Sequence, residues 1–521
     1  MRTTTRSLVE NRQPREEFYR KYANYMWQSR NSSKPKVIVI GAGAGGFSAA
    51  LELGNRGYQV ELLEKNMLSS GASGNNPGRM GHGFHYTDIP TAIAYLRASV
   101  LVQRTYPGFL VGQDQAFESP IRHGRYCITK DSNPPKEVIL MCYQAIKAEY
   151  IRLIEEDPRN EVFGPPETFY RILDAAEYQH TVNMTIIDIV IETSEHLFDW
   201  KKFTAYIKQV IANHPNITLR EHTEVIDISR NPIGSKRFTI KAQTDTQELL
   251  FFDTDYIVNS TWQQICFLND KIGLRMIPGE RTNRLKALIE IKLPESLINA
   301  NSTFVCMGQY GMFSNLGNGR GMATYAKVTN MEVSSELAIS QNAERLIKGN
   351  ILEEEKAVIA EEMISGLANY IPELAKAELI DVKFGIVQTR GRLSISDLTN
   401  PHHPFNKRED HCVKAEQNGV VSNPCMKLFY FPNNGRLVAD MIDQHVTATS
   451  VAKQCMKLIC QQLEDQIKFD DKIKRVVMEN LDRYELENLT EDNISKIVNS
   501  LVKKLTCFSK VSASLPYKGK P

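Results

Sequence analysis

Three glycines, Gly41, Gly43 and Gly46, directly follow a short apolar run at residues 37–40 and have the spacing Gly-x-Gly-x-x-Gly. This spacing suits the binding of a diphosphate. The first glycine permits a tight turn, the second lets backbone N–H groups approach phosphate oxygens, and the third lets the next helix pack against the strand. The N-terminus of that helix then faces the anion. The pattern therefore indicates a dinucleotide site rather than a turn that serves backbone geometry alone.

Glu64 directly follows a second predicted strand, residues 59–63, and a helical pattern over residues 45–55 separates the two strands. A carboxylate at the end of this strand can accept both hydroxyls of an adenosine ribose. Strand, turn, helix, strand and acid thus occur in register within about 30 residues, as the fingerprint requires. The acid disfavours a ribose 2′-phosphate, so NADP is the least favoured dinucleotide, and both FAD and NAD stay open.

Residues 65–86 are too rich in glycine, serine and asparagine for a helix or a strand. Long loops inside compact domains are uncommon unless they bind something. In this glycine-rich loop, Arg79 is the natural contact for a diphosphate or a flavin, and His82, His85 and Tyr86 are candidates to face a reaction site. The alternative for each histidine is that it only closes the loop.

The composition is that of an ordinary globular protein, with 521 residues, 42% hydrophobic, 24% charged and a formal net charge of +2. This charge gives no electrostatic case for a nucleic-acid partner. Nine cysteines without a CxxC pair indicate a reducing compartment, and we expect a cytoplasmic protein. No apolar run is long enough for a transmembrane helix, and the first residues resemble neither a secretory signal nor a transit peptide. The oligomeric state stays open.

Later segments extend this plan to an α/β fold with a second sheet. We predict a helix over residues 200–212 and strands that return to the first sheet, at 217–220, 224–228 and 256–259. Residues 281–395 alternate apolar and polar positions and predict a mostly antiparallel sheet.

The last segments are predicted as a surface loop over residues 396–426, a strand over 428–431, a turn over 432–435 and a long helix. A zinc site from His402, His403, His411 and Cys412 matches no standard ligand spacing, so no metal is expected.

The order of these motifs resembles that of the FAD-dependent D-amino-acid oxidase and glycine oxidase family, across roughly residues 35–460. The family has the glycine fingerprint, the ribose acid, a loop of the form SGxNxGrxGxG, a valine strand at the adenine, and a turn before the last helix. The resemblance implies FAD, which we expect to be bound non-covalently. The cofactor-binding residues that it implies are Gly41, Gly43, Gly45, Gly46, Glu64, Lys65, Ser73, Gly74, Arg79, Met80, Gly81, Val225, Thr261, Gly435, Arg436 and Leu437.

The resemblance also implies a Rossmann-like FAD-binding domain with an inserted, mostly antiparallel substrate sheet. The expected divisions are an N-terminal helical extension over 1–34, an FAD-binding domain over 35–90, 200–270 and 427–464, a substrate or cap domain over 91–199 and 271–426, and a C-terminal helical appendage over 465–521.

The activity that the resemblance implies is the oxidation of a C–N bond in an amino acid or a related amine, by hydride transfer to flavin N5. The backbone amides at residues 435–437 would stabilise the reduced flavin, His85 and Tyr325 would set protonation, and Arg390 would bind the carboxylate of a small substrate. One alternative is a flavoenzyme that acts on a hydroxy acid or a modified macromolecule. Another is a dinucleotide-binding protein without turnover.

Overall fold

The computed structural model describes residues 34–231, 236–306, 310–400, 403–404, 407, 411–464, 496 and 500. The predicted N-terminal extension and C-terminal appendage lie outside these residues, apart from isolated positions. Of the zinc alternative, His402 lies outside them, and no cluster of metal-ligating side chains occurs among the residues that were searched.

The described helices and strands are numbered here in chain order. The helices α1 to α10 are Ala44–Asn55, Ile89–Thr105, Lys136–Glu156, Ala175–Tyr178, Trp200–Ala212, Ile265–Lys271, Ala326–Thr329, Gln341–Ile347, Glu353–Ala368 and Phe431–Glu464. The strands β1 to β18 are Lys36–Ile40, Gln59–Leu63, Gly124–Thr129, Tyr170–Ile172, Ile187–Thr193, Ile217–Arg220, Thr223–Arg230, Phe238–Thr244, Leu249–Thr254, Tyr256–Asn259, Arg281–Lys292, Ser302–Cys306, Gly311–Gly317, Arg320–Tyr325, Asn330–Ser334, Glu378–Arg390, Lys414–Ala415 and Val420–Ser422.

The first sheet has the strand order β17-β18-β10-β1-β2-β6. Strand β10 runs parallel to both β1 and β18, and β6 runs parallel to β2. Strand β1 is buried on both faces, with Val37, Ile38 and Val39 inaccessible to solvent, as expected for a parallel sheet covered on both sides. The predicted strands at 217–220 and 256–259 and the predicted helix at 200–212 are confirmed.

The large sheet has the order β15-β11-β14-β13-β12-β3-β5-β4, and β16 pairs with β11. Its described pairings are antiparallel except for β12 with β3. The antiparallel sheet predicted over 281–395 is confirmed. The sequence interpretation missed β3, β4 and β5, which complete the other half of this sheet. Strand β3 lies in a region with mainly helical periods, residues 89–156, and no element was predicted at β4 or β5.

A small sheet, β7-β8-β9, covers one face of the first sheet. Its inward side chains, including Ile228 and Ile240, form one buried cluster with Ile38 and Ile257 of the first sheet. The predicted strand at 224–228 lies within β7 and therefore belongs to this layer rather than to the first sheet.

Two predictions near the C-terminus are wrong. Residues 428–431 are not a strand, because Leu428–Tyr430 is a turn of 3₁₀ helix, and residues 432–435 are not a turn, because α10 begins at Phe431. Pro432 suits this position, since the first helical residues need no N–H partner. Within the predicted surface loop at 396–426, the buried strand β18 is the missed element.

The chain divides into two compact units, and the larger one comprises Val37–Arg230 and Phe238–Ala439. All of the candidate site below lies in this unit. The division into FAD-binding and substrate domains stays a prediction. Among the described residues, no helix combines the length and hydropathy of a membrane span.

Candidate functional site

The fingerprint glycines lie where β1 ends and α1 begins. Gly41 has φ +89°, and a Cβ there would lie 2.7 Å from the backbone oxygen of Ser260. A Cβ on Gly46 would lie 1.7 Å from the oxygen of Gly41. Any larger residue at either position would therefore push the turn open, which is the geometric requirement read from the sequence.

The start of α1 offers suitable donors for a diphosphate. The N-cap residue, Gly43, has no side chain that could accept from the first helical amides, and the first turn of the helix contains no acidic residue. The amide of Ala44 donates to Ser73 Oγ at 2.9 Å, and a Cβ on Gly43 would meet the same oxygen at 3.1 Å. A helix N-terminus beside a hydroxyl suits a phosphate chain.

Glu64 lies at the same edge of the sheet. Its Oε2 accepts from the amide of Ala42 at 2.7 Å, and its Oε1 accepts from the amide of Asn66 at 3.0 Å. The amide of Thr223 donates to the backbone oxygen of Glu64 at 2.8 Å, so β7 with Val225 begins beside the acid. A carboxylate next to the phosphate turn suits the ribose of FAD, and the donor set therefore fits this dinucleotide.

The strand end at Asn259 completes the turn. Thr261 Oγ1 donates to Asn259 Oδ1 at 2.7 Å, and the Cα of Thr261 would lie 3.3 Å from a Cβ on Gly41. The next residue, Trp262, has φ +57° and donates from its indole to the oxygen of Ile386 at 2.7 Å. This link joins the fingerprint edge to β16 of the large sheet.

Three residues that the sequence interpretation missed follow β18 and contact the fingerprint or the glycine-rich loop. Asn423 Nδ2 donates to the oxygen of Gly45 at 2.9 Å. A Cβ on Gly45 would lie 3.0 Å from the Cβ of Cys425, so Gly45 leaves room for this residue. Lys427 donates from Nζ to the hydroxyl of Tyr86, at the far end of the glycine-rich loop. The short run VVS before Asn-Pro was the available signal for a buried strand here.

Comparison with known proteins agrees with this arrangement of a strand, a glycine turn, a helix and an acidic residue. The family model described as FAD dependent oxidoreductase matches residues 36–283. This segment is a domain of that family. The family expected from the sequence is confirmed for this segment, and with it FAD as the cofactor. Non-covalent attachment stays a prediction.

Solved structures show the same fold for most of this chain. Glycine oxidase from Geobacillus kaustophilus superposes with a TM-score of 0.52 at 15% identity, covering 79% of this chain and 95% of that one. L-proline dehydrogenase from P. horikoshii gives a TM-score of 0.51 at 15% identity, covering 79% and 94%. At such identities the likeness shows the fold alone, and it confirms the predicted α/β class.

Sequence relatives match only a short part of this chain. A tRNA 5-methylaminomethyl-2-thiouridine biosynthesis bifunctional protein from Methylibium petroleiphilum is 33% identical over 88 residues, which are 17% of this chain and 13% of that protein. One polypeptide of the anaerobic glycerol-3-phosphate dehydrogenase of Escherichia coli is 33% identical over 79 residues, 15% of each chain. The matched stretch is a small fraction of either relative.

The described contacts of Arg79 are with the large sheet and the segment that follows β5, and its predicted contact with a diphosphate or a flavin stays a prediction. Its guanidinium binds the carboxylate of Glu195, donates to Tyr126 Oη at 2.6 Å, and lies 4.7 Å from the ring centroid of Phe304. Burial acts to lower the pKa of Arg79, but the negative charge of Glu195 and its hydrogen bond to the guanidinium raise that pKa overall above its usual value. Arg79 therefore contacts the large sheet.

The neighbours of Arg79 in the loop are held by backbone contacts. Ser99 Oγ of α2 lies 2.8 Å from the oxygen of Met80 and 3.0 Å from that of Gly81. A Cβ on Gly81, which has φ +67°, would lie 2.3 Å from the Tyr95 ring, and one on Gly74 would lie 2.4 Å from a backbone oxygen. Contacts of these residues with FAD stay predictions, as they do for Lys65 and Val225.

His82 is completely buried among Phe84, Phe163 and Phe169, and its Nε2 has no hydrogen-bond partner among the described residues. Burial, with the positive charge of Arg79 as a second cause, lowers the pKa of His82 to about 3. The ring is therefore neutral at physiological pH, and His82 is a packed core residue.

The amides of Gly435, Arg436 and Leu437 do not form a helix end, because these residues lie in the second turn of α10. Their N–H groups point to the carbonyls four residues earlier. A Cβ on Gly435 would lie 2.7 Å from the oxygen of Ser48, so this glycine lets α10 pack closely on α1. The predicted stabilisation of reduced flavin by these amides is wrong for this physical reason.

The three predicted catalytic residues lie in different environments. Tyr325 packs in the hydrophobic core of the large sheet, and a Cβ on Gly366 of α9 would lie 2.3 Å from its ring. Arg390 is exposed at the end of β16. His85 is half-buried, with its ring centroid 3.9 Å from that of Tyr86 and 5.8 Å from that of Phe304. Of the three, His85 lies beside the segment that returns to the fingerprint.

Proposed function

We propose that the protein is an FAD-dependent oxidoreductase that oxidises the C–N bond of an amino acid or a related amine carrying a carboxylate. The observation that carries this proposal is the position of Lys427. It follows β18, whose carboxyl end lies at the same edge of the first sheet as the fingerprint, and open α/β sheets bind their ligands outside this edge.

The environment of Lys427 supports a role in binding an anionic group. Its Nζ donates to the phenol of Tyr86 and lies 4.9 Å and 5.2 Å from the ring centroids of Tyr86 and Tyr95. Aromatic rings stabilise the cation and limit its hydration, and both effects favour a charge-assisted bond to a carboxylate.

When bound, FAD supplies the chemistry by accepting a hydride. The residues of the chain then orient the substrate. Lys427 binds the carboxylate, and the rings of Tyr86, Tyr95 and Phe304 exclude water from the carbon that loses hydrogen. Hydride loss requires a neutral amine, so a base must take the ammonium proton first. His85, in contact with Tyr86, is the candidate for that proton transfer.

The names of the structural neighbours agree with this substrate class, since two of them are a glycine oxidase and an L-proline dehydrogenase. The rival class, a flavoenzyme that acts on a hydroxylated substrate or a modified macromolecule, draws support from the short matches to a glycerol-3-phosphate dehydrogenase and a tRNA-modifying protein. Lys427 would bind a phosphate as well as a carboxylate, so the geometry does not separate the two classes. The preference for C–N chemistry comes from the names of the structural neighbours.

The test is flavin bleaching under anaerobic conditions. Glycine, L-proline and N-methylated amino acids should reduce the flavin, while glycerol 3-phosphate and 2-hydroxy acids should not. The reverse pattern would replace C–N oxidation by the rival class. If every candidate, including free nucleosides with alkylamino groups, leaves the flavin oxidised although dithionite reduces it, a dinucleotide-binding protein without turnover becomes the better description.

A further inference from the structure

The segment at residues 194–198 connects β5 of the large sheet to α5, and it pairs with the middle of the glycine-rich loop. The amide of Met80 donates to the oxygen of His196 at 3.1 Å, and the amide of Phe198 donates to the oxygen of Gly78 at 2.6 Å. Residues 194–198 are all at least 90% buried. The glycine-rich loop is thereby held against the segment that follows β5 of the large sheet.

At the centre of this pairing, Glu195 binds the loop through both carboxylate oxygens. Oε1 accepts from Arg79 Nε at 2.8 Å and also from Arg79 Nη2. Oε2 accepts from the amide of His82 at 3.2 Å and from Tyr126 Oη of β3 at 2.7 Å. The side chain of Glu195 is only 3% exposed and that of Arg79 only 14%. A buried carboxylate with this set of donors joins the loop and the large sheet in one polar network.

Residues on both sides of Arg79 in the glycine-rich loop contact the two parts of the expected site. Ser73 contacts the first amide of α1, where the diphosphate of FAD is expected, and Tyr86 contacts Lys427. The Arg79–Glu195 pair lies between these two points in the chain. A displacement of Arg79 would therefore shift Ser73, on the cofactor side of the loop, and Tyr86, on the substrate side.

We propose that Glu195 is a positioning residue which, through Arg79, holds the glycine-rich loop against the large sheet in the conformation that binds FAD. The proposal rests on the proposed function only for the identity of the cofactor. It does not require that Glu195 touches FAD. It predicts that FAD affinity depends on the charge pair itself, because either partner alone is a buried charge without its counterion.

The experiment compares FAD binding to apoprotein in the variants E195Q, R79M and R79M/E195Q. FAD fluorescence gives the Kd, and the thermal midpoint of each apoprotein is measured beside it. E195Q should raise the Kd for FAD by about tenfold or more, since it leaves the guanidinium of Arg79 unpaired. The double variant should bind FAD more tightly than E195Q, because it removes that unpaired charge, and this non-additivity is the signature of a coupled pair.

Glu192, on the neighbouring strand β5, is the matched control. Its side chain is more exposed, at 20%, and pairs with Arg171 and Arg125. E192Q should leave the Kd for FAD within about twofold of wild type, because the two arginines that pair with Glu192 lie on β4 and β3 rather than in the glycine-rich loop.

A merely structural carboxylate would give another result: a lower thermal midpoint for E195Q with an unchanged Kd, which would overturn the proposal. Additive effects in the double variant would also overturn it. If E195Q does not fold, the double variant R79M/E195Q still tests the proposal, because it lacks the pair that holds the loop. A Kd for FAD equal to that of wild type in this variant would contradict the proposed positioning role. The titration needs no substrate, so an absence of amine oxidation together with the expected Kd pattern removes the proposed function and leaves this inference standing.

Discussion

Arg79 and Lys427 are two cations that contact the glycine-rich loop or belong to it, and their surroundings differ. Arg79 binds a buried carboxylate, Glu195, whereas Lys427 donates to a phenol and lies over aromatic rings. A charge neutralised by a buried counterion has a structural consequence when either partner is removed. A cation that donates to a phenol and lies near π faces can also bind an anion. We therefore propose that Arg79 holds the loop and that Lys427 binds substrate.

The largest expected effect is that of R79M on stability. The substitution keeps an unbranched side chain in contact with Phe304 but leaves the buried carboxylate of Glu195 without its counterion. The free energy of unfolding should fall by about 3–5 kcal/mol, measured by urea denaturation of the apoprotein. A loss below about 1 kcal/mol would show that Glu195 acquires another partner and would break the contrast with Lys427.

The next effect is a pH dependence that arises beside the same pair. The pKa of His82 is about 3 in the folded protein, and it is near 6.5 in the unfolded chain. Between these values the unfolded state binds a proton that the folded state does not, so stability falls as the pH falls from about 6.5 toward 3. At pH 5 the loss is about 2 kcal/mol, at about 1.4 kcal/mol per pH unit.

The variant H82Q tests this origin, because glutamine does not titrate in this range. Urea denaturation at pH 7 and pH 5 should show a smaller difference for H82Q than for wild type. The matched control is H180Q, at an exposed position after α4, which should retain the wild-type difference. Equal pH dependence in H82Q and wild type would assign the acid sensitivity to other groups.

The parts of the fold that could be predicted from the sequence are those whose structure is determined by local contacts rather than by distant ones. At Gly46 and Glu64 the turn is determined by neighbours within a few tens of residues, so glycine spacing and strand patterns were sufficient. They were also sufficient at Gly41, because its positive φ is a local property of the turn, although the oxygen of the distant Ser260 lies close as well. The residues at 420–437 are different. Strand β18 is short and is defined by pairing with β10, and Gly435 is required by the oxygen of Ser48, nearly four hundred positions away.

The same distinction explains Arg79 and Tyr325. The sequence offered an arginine in a glycine-rich loop, but nothing local identified Glu195, which follows a strand of another sheet and supplies its counterion. Tyr325 ends a strand that was predicted correctly, yet its burial depends on the packing of α9. Side chains whose partners come from remote segments have no signal in local spacing.

The third effect is specific to substrate binding. K427M removes the ammonium and keeps most of the length of the side chain, so the substitution acts mainly through the loss of charge. KM for an amino-acid substrate should rise by about 10- to 100-fold, equivalent to about 1–3 kcal/mol for a charge-assisted hydrogen bond. Steady-state kinetics with the substrate found by flavin bleaching measures this change. K292M, at an exposed lysine paired with Glu378, is the control, and an equal KM in K427M and wild type would remove Lys427 from the site.

The smallest effect is expected at Arg390, the cation that the sequence suggested as the carboxylate ligand. It is exposed at the last position of β16, opposite Arg281, whereas Lys427 lies at the edge that carries the fingerprint. R390K keeps the charge and removes the planar fork that binds a carboxylate through two parallel bonds. If Lys427 is the ligand, R390K should change KM by less than about twofold and unfolding by less than about 0.5 kcal/mol, as at an ordinary surface position. A KM increase in R390K as large as that in K427M would mean that both cations hold the substrate, and the assignment of substrate binding to Lys427 alone would then be wrong.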